Sequence, residues 1–266
     1  YNYVPKTSHF LWYFIIIKER GIDMPLLSVQ NVCKYFHGNK AVDDVSLEIN
    51  KGEIVGLIGA NGAGKTTLFN CLTGYYKATS GKILYNGKAI ENLKPHVICH
   101  MGIGRTFQIA KPFGSLSVLE NVAVGAYNKC KTKTEAYNKA KQCIIFTGLA
   151  GKEDTDAGTL NTGEQRRLEL ARALATDPEL LLLDEVMAGL TPTESQEMVE
   201  LIRNVKEQGV TILMIEHIMP VIMALSDTIY VLESGRLICK GTPEEVSQNA
   251  QVIESYLGRS QEENDA

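Results

Sequence analysis

The spacing of apolar and polar positions changes period along the chain, and the changes mark its elements. After Met24, Leu26 to Cys33 is β-rich, and Val42 to Ile49 largely alternates between apolar and polar positions, as in strands with one buried face. The turn Asn50-Lys51-Gly52 separates these from Ile54 to Ile58, a nearly continuous apolar run bounded by glycine. Such a run fits a parallel strand buried on both faces. Leu180 to Leu183 and Val210 to Ile215 are of the same kind, with helical segments between them, so the economical prediction is an α/β fold around a parallel sheet. Helix signals dominate from Leu93 to Ala175, where strand signals are almost missing. Ser117 and Glu120 have capping-box spacing ahead of Val122, and the run Thr134 to Thr147 is closed by Gly148. A further helix starts after Thr191, with Pro192 at its first position and Glu194 next but one. It carries Met198, Leu201, Ile202 and Val205 at helical spacing and stops at Gly209.

Composition narrows the class. The chain has 266 residues, 44% hydrophobic and 22% charged, which suits a folded globular protein of one large or two small domains. Its formal net charge of −4 does not supply the broad positive field of a nucleic-acid binder, so any polyanion must be small and held locally. No nucleic-acid partner is expected. The longest uninterrupted apolar run, Phe10 to Ile17, is too short to span a bilayer. Residues 1–23 hold the only tryptophan, Trp12, and do not read like the rest; we expect an extension of doubtful origin, outside the fold. The six cysteines form no C-x-x-C pair and are expected to be reduced packing thiols. His96 and His100 with Cys99 have no third ligand and are expected on a solvated helix face. The polar end, Ser260 to Ala266, is expected to fray.

The sharpest chemical signal follows the run Ile54 to Ile58. Gly59-Ala60-Asn61-Gly62-Ala63-Gly64-Lys65-Thr66-Thr67 fits G-x-x-x-x-G-K-[ST] between a strand and the helical run Leu68 to Thr73. The glycines allow the backbone to turn its N–H groups onto phosphate oxygens. Lys65 brings a mobile charge to the β and γ oxygens, the Thr66 hydroxyl can ligate Mg²⁺, and the helix N-terminus adds its partial positive charge. Nucleoside triphosphate binding is the prediction. Asp184-Glu185 then closes a buried strand, where open α/β sheets place ligands. With the phosphate loop present, Asp184 is expected to be the Mg²⁺-side acid and Glu185 the group that polarises the attacking water.

The order of motifs gives a resemblance: from about Met24 to Gly258 the chain resembles the ATP-binding subunit of an ABC transporter. Gln108, closing Arg105-Thr106-Phe107-Gln108, resembles the Q-loop glutamine, which senses γ-phosphate and Mg²⁺. Leu160-Asn161-Thr162-Gly163-Glu164-Gln165 and the helix after it resemble the signature, and His217, following Glu216, resembles the switch histidine. Phe36, with Tyr35 as the second choice, stands where the family places an adenine-stacking aromatic. The resemblance implies a P-loop, RecA-like core with a β-rich N-terminal edge and an inserted helical subdomain. Its expected divisions are 24–92 and 176–240 for the core, 93–175 for the helical subdomain and 241–266 for a helical tail. Implied site residues are Glu185, His217, Gln108 and Lys65 for catalysis. Nucleotide contacts fall to Gly59, Asn61, Gly62, Ala63, Gly64, Lys65, Thr66, Thr67, Phe36 or Tyr35, Asn161 and Gly163, and Mg²⁺ to Thr66, Gln108 and Asp184.

Departures from the family pattern are specific. Asn161 replaces the signature serine, Thr162 its first glycine and Glu164 its glutamine; Val186 stands for the usual proline after Glu185, and Thr191 for the aspartate ending the D-loop. A carboxylate at 164 near a phosphate is expected to be unfavourable by charge. Gly104 to Gln108, Ser117 to Val122 and the tail from Gly241 to Gly258 are most similar to the branched-chain amino acid importers. The resemblance therefore implies an ATPase on the cytoplasmic face of the membrane, peripheral to two permease subunits. It would pair head to tail with a second ATPase, identical or not, and act indirectly with an extracytoplasmic solute-binding protein. Urea or amide importers, a lipopolysaccharide exporter and a soluble ABC ATPase are the alternatives.

Overall fold

A computed structural model describes residues 24–108 and 111–257; the expectations for 1–23 and 260–266 lie outside these. β1 (Leu27–Phe36) and β2 (Asn39–Ile49) pair antiparallel and, with β4 (Ser80–Tyr85) and β5 (Lys88–Ala89), form a four-stranded sheet in the order β2-β1-β4-β5. The second sheet has six strands in the order β10-β9-β3-β8-β7-β6. They are β3 (Ile54–Ile58), β6 (Ile103–Arg105), β7 (Leu180–Asp184), β8 (Thr211–Ile215), β9 (Thr228–Glu233) and β10 (Arg236–Gly241). All neighbours in it are parallel except β9 and β10. This is the α/β P-loop core with a β-rich N-terminal edge.

The continuous apolar strands are buried on both faces, as their sequences require. Val55, Leu57, Leu180, Leu182, Leu213 and Ile215 face one core, shared with the four-stranded sheet and the helix α1 (Lys65–Leu72). Ile54, Ile58, Leu181, Leu183, Ile212 and Met214 face a second core, filled from the other side by Met198, Leu201, Ile202 and Val205 of a long helix. These alternate residues divide between two layers because strand side chains alternate faces.

Ile103–Arg105 is a strand within the segment expected to be helical, and it pairs with β7 at the sheet edge. Three residues, one of them Gly104, are too few to show a period. Just before it lies the short helix α2 (Pro95–Met101). Beyond residue 111 the segment is helical: α3 (Val118–Ala126), α4 (Lys133–Phe146) and α5 (Thr162–Ala175) pack around a third core that includes Val122, Ala140, Ile144, Leu168 and Ala171. Ser117 accepts from Glu120 N, and the Glu120 carboxylate accepts from Ser117 N, as the spacing predicts. The long helix α6 (Pro192–Glu207) begins with the same reciprocal cap between Thr191 and Glu194. α7 (Met219–Leu225), α8 (Pro243–Ser247) and α9 (Ala250–Leu257) complete the described chain.

The consequence for function is topological. β3, β8, β7 and β6 are adjacent and parallel, so their carboxyl ends open on one edge of the sheet. That edge carries, in order, the phosphate loop, Glu216-His217, Asp184-Glu185 and the segment leading to Gln108.

Candidate nucleotide site

The phosphate loop leaves β3 and enters α1 through Gly64, which has φ +105°. A Cβ there would collide with the Ala41 carbonyl oxygen, so the loop lies directly against β2. Lys65 is buried, and its ammonium donates to the carbonyls of Gly59 (2.6 Å) and Ala60 (3.0 Å). Burial pulls this ammonium below its ordinary range, while Glu185 and then Asp184 oppose that. The ammonium is thus held inside the loop, poised at a ring of carbonyls rather than extended into solvent. Beside it is a cavity of about 660 Å³ lined by Phe36, Asn39, Lys40, Ala41, Asn61 to Thr67, Gln108, Glu185 and Ser234.

Of the two adjacent carboxylates, Glu185 lines this cavity and Asp184 lies buried beside it. Asp184 is 1% exposed, and burial pushes its carboxyl up, with Arg105 acting against the rise. One oxygen, Oδ2, accepts from Arg105 Nη2 at 3.0 Å, whereas Oδ1 is buried with no hydrogen-bond partner. Glu185 follows with φ +50°, in the left-handed region, its N–H donating to Ile215 O at 2.9 Å. This turn carries Glu185 out of the strand to the cavity wall, where its Oε2 accepts from Gln108 Nε2 at 2.8 Å. The backbone just before Gln108 is fixed as well: Asp184 N donates to Thr106 Oγ1 (3.1 Å) and Thr106 N to Leu182 O (2.9 Å). Gln108 and Glu185 therefore meet on the cavity wall, with Asp184 buried directly behind them.

The remaining assignments divide between this cavity and other places. Phe36 lines the cavity; Tyr35 does not, and its hydroxyl donates to Asp43 Oδ1 at 2.6 Å. His217 is exposed after β8 and is not among the lining residues. Asn161 and Gly163 stand at the start of α5, in a different cavity of about 690 Å³ with Lys152, Glu164, Arg167 and Glu194. Asn161 caps α5, accepting from Glu164 N on Oδ1 at 2.9 Å while its own N–H donates to Glu164 Oε2 at 3.0 Å. Lys152 pairs with the other Glu164 oxygen and holds that carboxyl below its usual range. The unfavourable charge expected of Glu164 is therefore countered within the subunit.

Several buried polar residues at this edge carried no role in the sequence reading. Glu169 Oε1 accepts from Phe107 N at 2.6 Å, and Arg166 donates to Phe107 O and Ala188 O, so α5 grips the backbone on both sides of the site. Glu216 accepts from Met187 N at 3.0 Å on Oε1, and its Oε2 is buried without a partner. Only the unbroken charge pairing of Arg166 and Glu169 at i, i+3 could have hinted at a buried pair; Arg105 and Glu216 look like surface charges in sequence.

Fold and site together define a P-loop nucleotide-binding cassette. Residues 42–188 match the family model described as "ABC transporter", and residues 236–261 the model "Branched-chain amino acid ATP-binding cassette transporter". The chain is 42% identical to the high-affinity branched-chain amino acid transport ATP-binding protein LivG of Salmonella typhimurium, over 90% of this chain and 100% of that protein. It is 38% identical to BraF of Pseudomonas aeruginosa, a protein of the same description, over 89% and 99%. Among solved structures, the ADP conformation of an ATP-binding cassette of an ABC transporter is similar at 33% identity and TM-score 0.80, covering 89% of this chain and 100% of that one. The chain belongs to the ABC transporter family, as a nucleotide-binding ATPase subunit.

Proposed function

We propose that this subunit hydrolyses ATP with Mg²⁺ to drive uptake of branched-chain amino acids. The observation that carries the catalytic half is the Gln108–Glu185 hydrogen bond on the wall of the phosphate-loop cavity, which joins the Q-loop to the water-activating acid. The solute is supported by the likeness to LivG over that protein's full length and by the match of residues 236–261.

On this reading, backbone N–H groups from Gly59 to Gly64, with Asn61, Gly62 and Ala63 at the turn, wrap the phosphates, and Thr66 and Thr67 open α1 beneath them. Lys65 exchanges the carbonyls of Gly59 and Ala60 for β and γ oxygens. Phe36 stacks on the base. Thr66, Asp184 and Gln108 fit a magnesium ion, since Asp184 Oδ1 is a buried oxygen with no other partner. When bound, that ion neutralises charge on the transferring phosphoryl group. Glu185 takes the proton of the attacking water, Gln108 orients it, and His217 reaches the γ-phosphate when the sites close. Asn161 and Gly163 act on the nucleotide of a second ATPase subunit, because within one subunit they line a separate cavity. The partners would be two permeases at the cytoplasmic membrane face and, through them, a solute-binding protein. Among the described residues no helix is long and apolar enough to cross a membrane.

Glu185→Gln tests the assignment: nucleotide binding is retained while turnover falls roughly 10²- to 10⁴-fold, the scale for losing a general base. Near-normal turnover would contradict it. Tagged Glu185→Gln with ATP, recovered from detergent-solubilised membranes, should bring two multispanning chains; recovery with soluble proteins alone would remove the transport role.

A further inference from the structure

Arg105, on β6, is the one cation in direct ion-pair contact with Asp184 among the described residues, and its guanidinium spans three elements. Nη2 donates to Asp184 Oδ2 at 3.0 Å. Nη1 donates to Asn70 Oδ1 at 2.6 Å and reaches Thr73 Oγ1 at 3.3 Å, both on the α1 side of the phosphate loop. The guanidinium carbon lies 4.9 Å from the centroid of the Phe107 ring, which together with the buried β-sheet edge keeps the fork in place. Asn70 stands four residues after Thr66 and so on the same face of α1. The helix that presents the Thr66 hydroxyl and the strand that presents the Asp184 carboxylate are thus tied together by one planar, rigid group.

We propose that Arg105 is the positioning residue of the divalent-cation site, fixing the separation of Thr66 and Asp184 and turning Asp184 Oδ1 toward the ion. This rests on the reading that a nucleotide with Mg²⁺ occupies the cavity. Arg105 engages one oxygen of Asp184, Oδ2, and leaves the other, Oδ1, buried and unpartnered, so the charge-assisted hydrogen bond fixes the orientation of the carboxylate and keeps one oxygen free for the ion. Preorganised ligands bind more tightly because their ordering cost falls before the ion arrives. The role needs a fork able to bridge two acceptors at once, which an alkyl side chain cannot do.

The test is the binding of a fluorescent, non-hydrolysable ATP analogue to the full chain, titrated with Mg²⁺ and repeated in EDTA. Wild type, Arg105→Met and Asn70→Ala are compared. In EDTA all three should bind alike, within about twofold, since Lys65 and the loop amides are untouched. The Mg²⁺ concentration giving half the metal-dependent change should rise about tenfold in Arg105→Met and about threefold in Asn70→Ala, which removes the shorter of the two helix-side bonds and leaves the one to Thr73. If Arg105→Met fails to fold, Asn70→Ala decides. An unchanged Mg²⁺ midpoint with normal EDTA binding would overturn the positioning role. A wild-type protein that binds no nucleotide, or ignores Mg²⁺, would instead overturn the functional reading on which it rests.

Discussion

At the scale of single residues, the site depends on where two acids and one lysine are allowed to sit. Lys65 is tethered to loop carbonyls, so Lys65→Ala removes the charged donor of the phosphate loop. Nucleotide affinity should fall roughly ten- to a hundredfold, matching about 1.5–3 kcal/mol for a charged hydrogen bond, as read by equilibrium binding. Glu216 makes a pH prediction. Its carboxyl is pushed from 4.5 up to about 7, chiefly by burial, against the opposing donation from Met187. The folded chain holds this proton between those values and the unfolded chain does not. The contribution is therefore fully present below about pH 4.5 and is lost as pH rises through about 7. Glu216→Gln keeps an acceptor for Met187 N without an ionisation, so it should match wild type at low pH and exceed it above pH 7, by up to about 3 kcal/mol. Denaturant unfolding from pH 5 to 8 reads this; parallel curves for the two proteins would contradict it.

Between elements, the joint that matters is α5 against the two loops at the sheet edge. Arg166 and Glu169 are both buried and lie 3.6 Å apart, one bonded to the carbonyls of Phe107 and Ala188, the other to Phe107 N. Removing one partner strands the other charge, so Arg166→Met should cost about 3 kcal/mol, measured by chemical denaturation. A variant as stable as wild type would show that the pair does not carry the joint. The same scale shows what sequence could and could not give. β3, β7 and β8 were legible because a strand buried on both faces is apolar throughout, and α3 and α6 because their caps are local, three residues apart. β6 was not, since Ile103-Gly104-Arg105 is too short for a period and forms only by pairing with β7. Arg105 likewise acquires its meaning from Asp184, 79 residues away, and no local pattern encodes such a contact. Tyr35 and Phe36 are neighbours in sequence but fall on alternate faces of the strand, so only the fold separates the residue that lines the cavity from the one bonded to Asp43.

At the scale of the whole molecule, the phosphate loop and the signature stand in different cavities of one subunit. On the proposed reading, a single copy therefore lacks the Asn161 and Gly163 contacts at its own phosphate loop. ATP should drive Glu185→Gln from monomer to dimer in light scattering, either with itself or with its partner ATPase, and Asn161→Asp should weaken that dimer by setting a charge against phosphate. ATP-independent association, or a dimer indifferent to Asn161→Asp, would contradict the shared site. Acidic Glu164 is compatible with this arrangement because Lys152 and the α5 cap hold its carboxylate within its own subunit. Motion at the interface would pass through α5 to Phe107 and Gln108, the same segment that grips Asp184 and Glu185. The most direct measurement is ATP-driven uptake of L-leucine into proteoliposomes holding this subunit, the permeases that co-purify with it and their solute-binding protein. Leucine uptake that requires ATP and is lost in Glu185→Gln is the expected result; no leucine uptake, or uptake unaffected by that substitution, would contradict the proposed function.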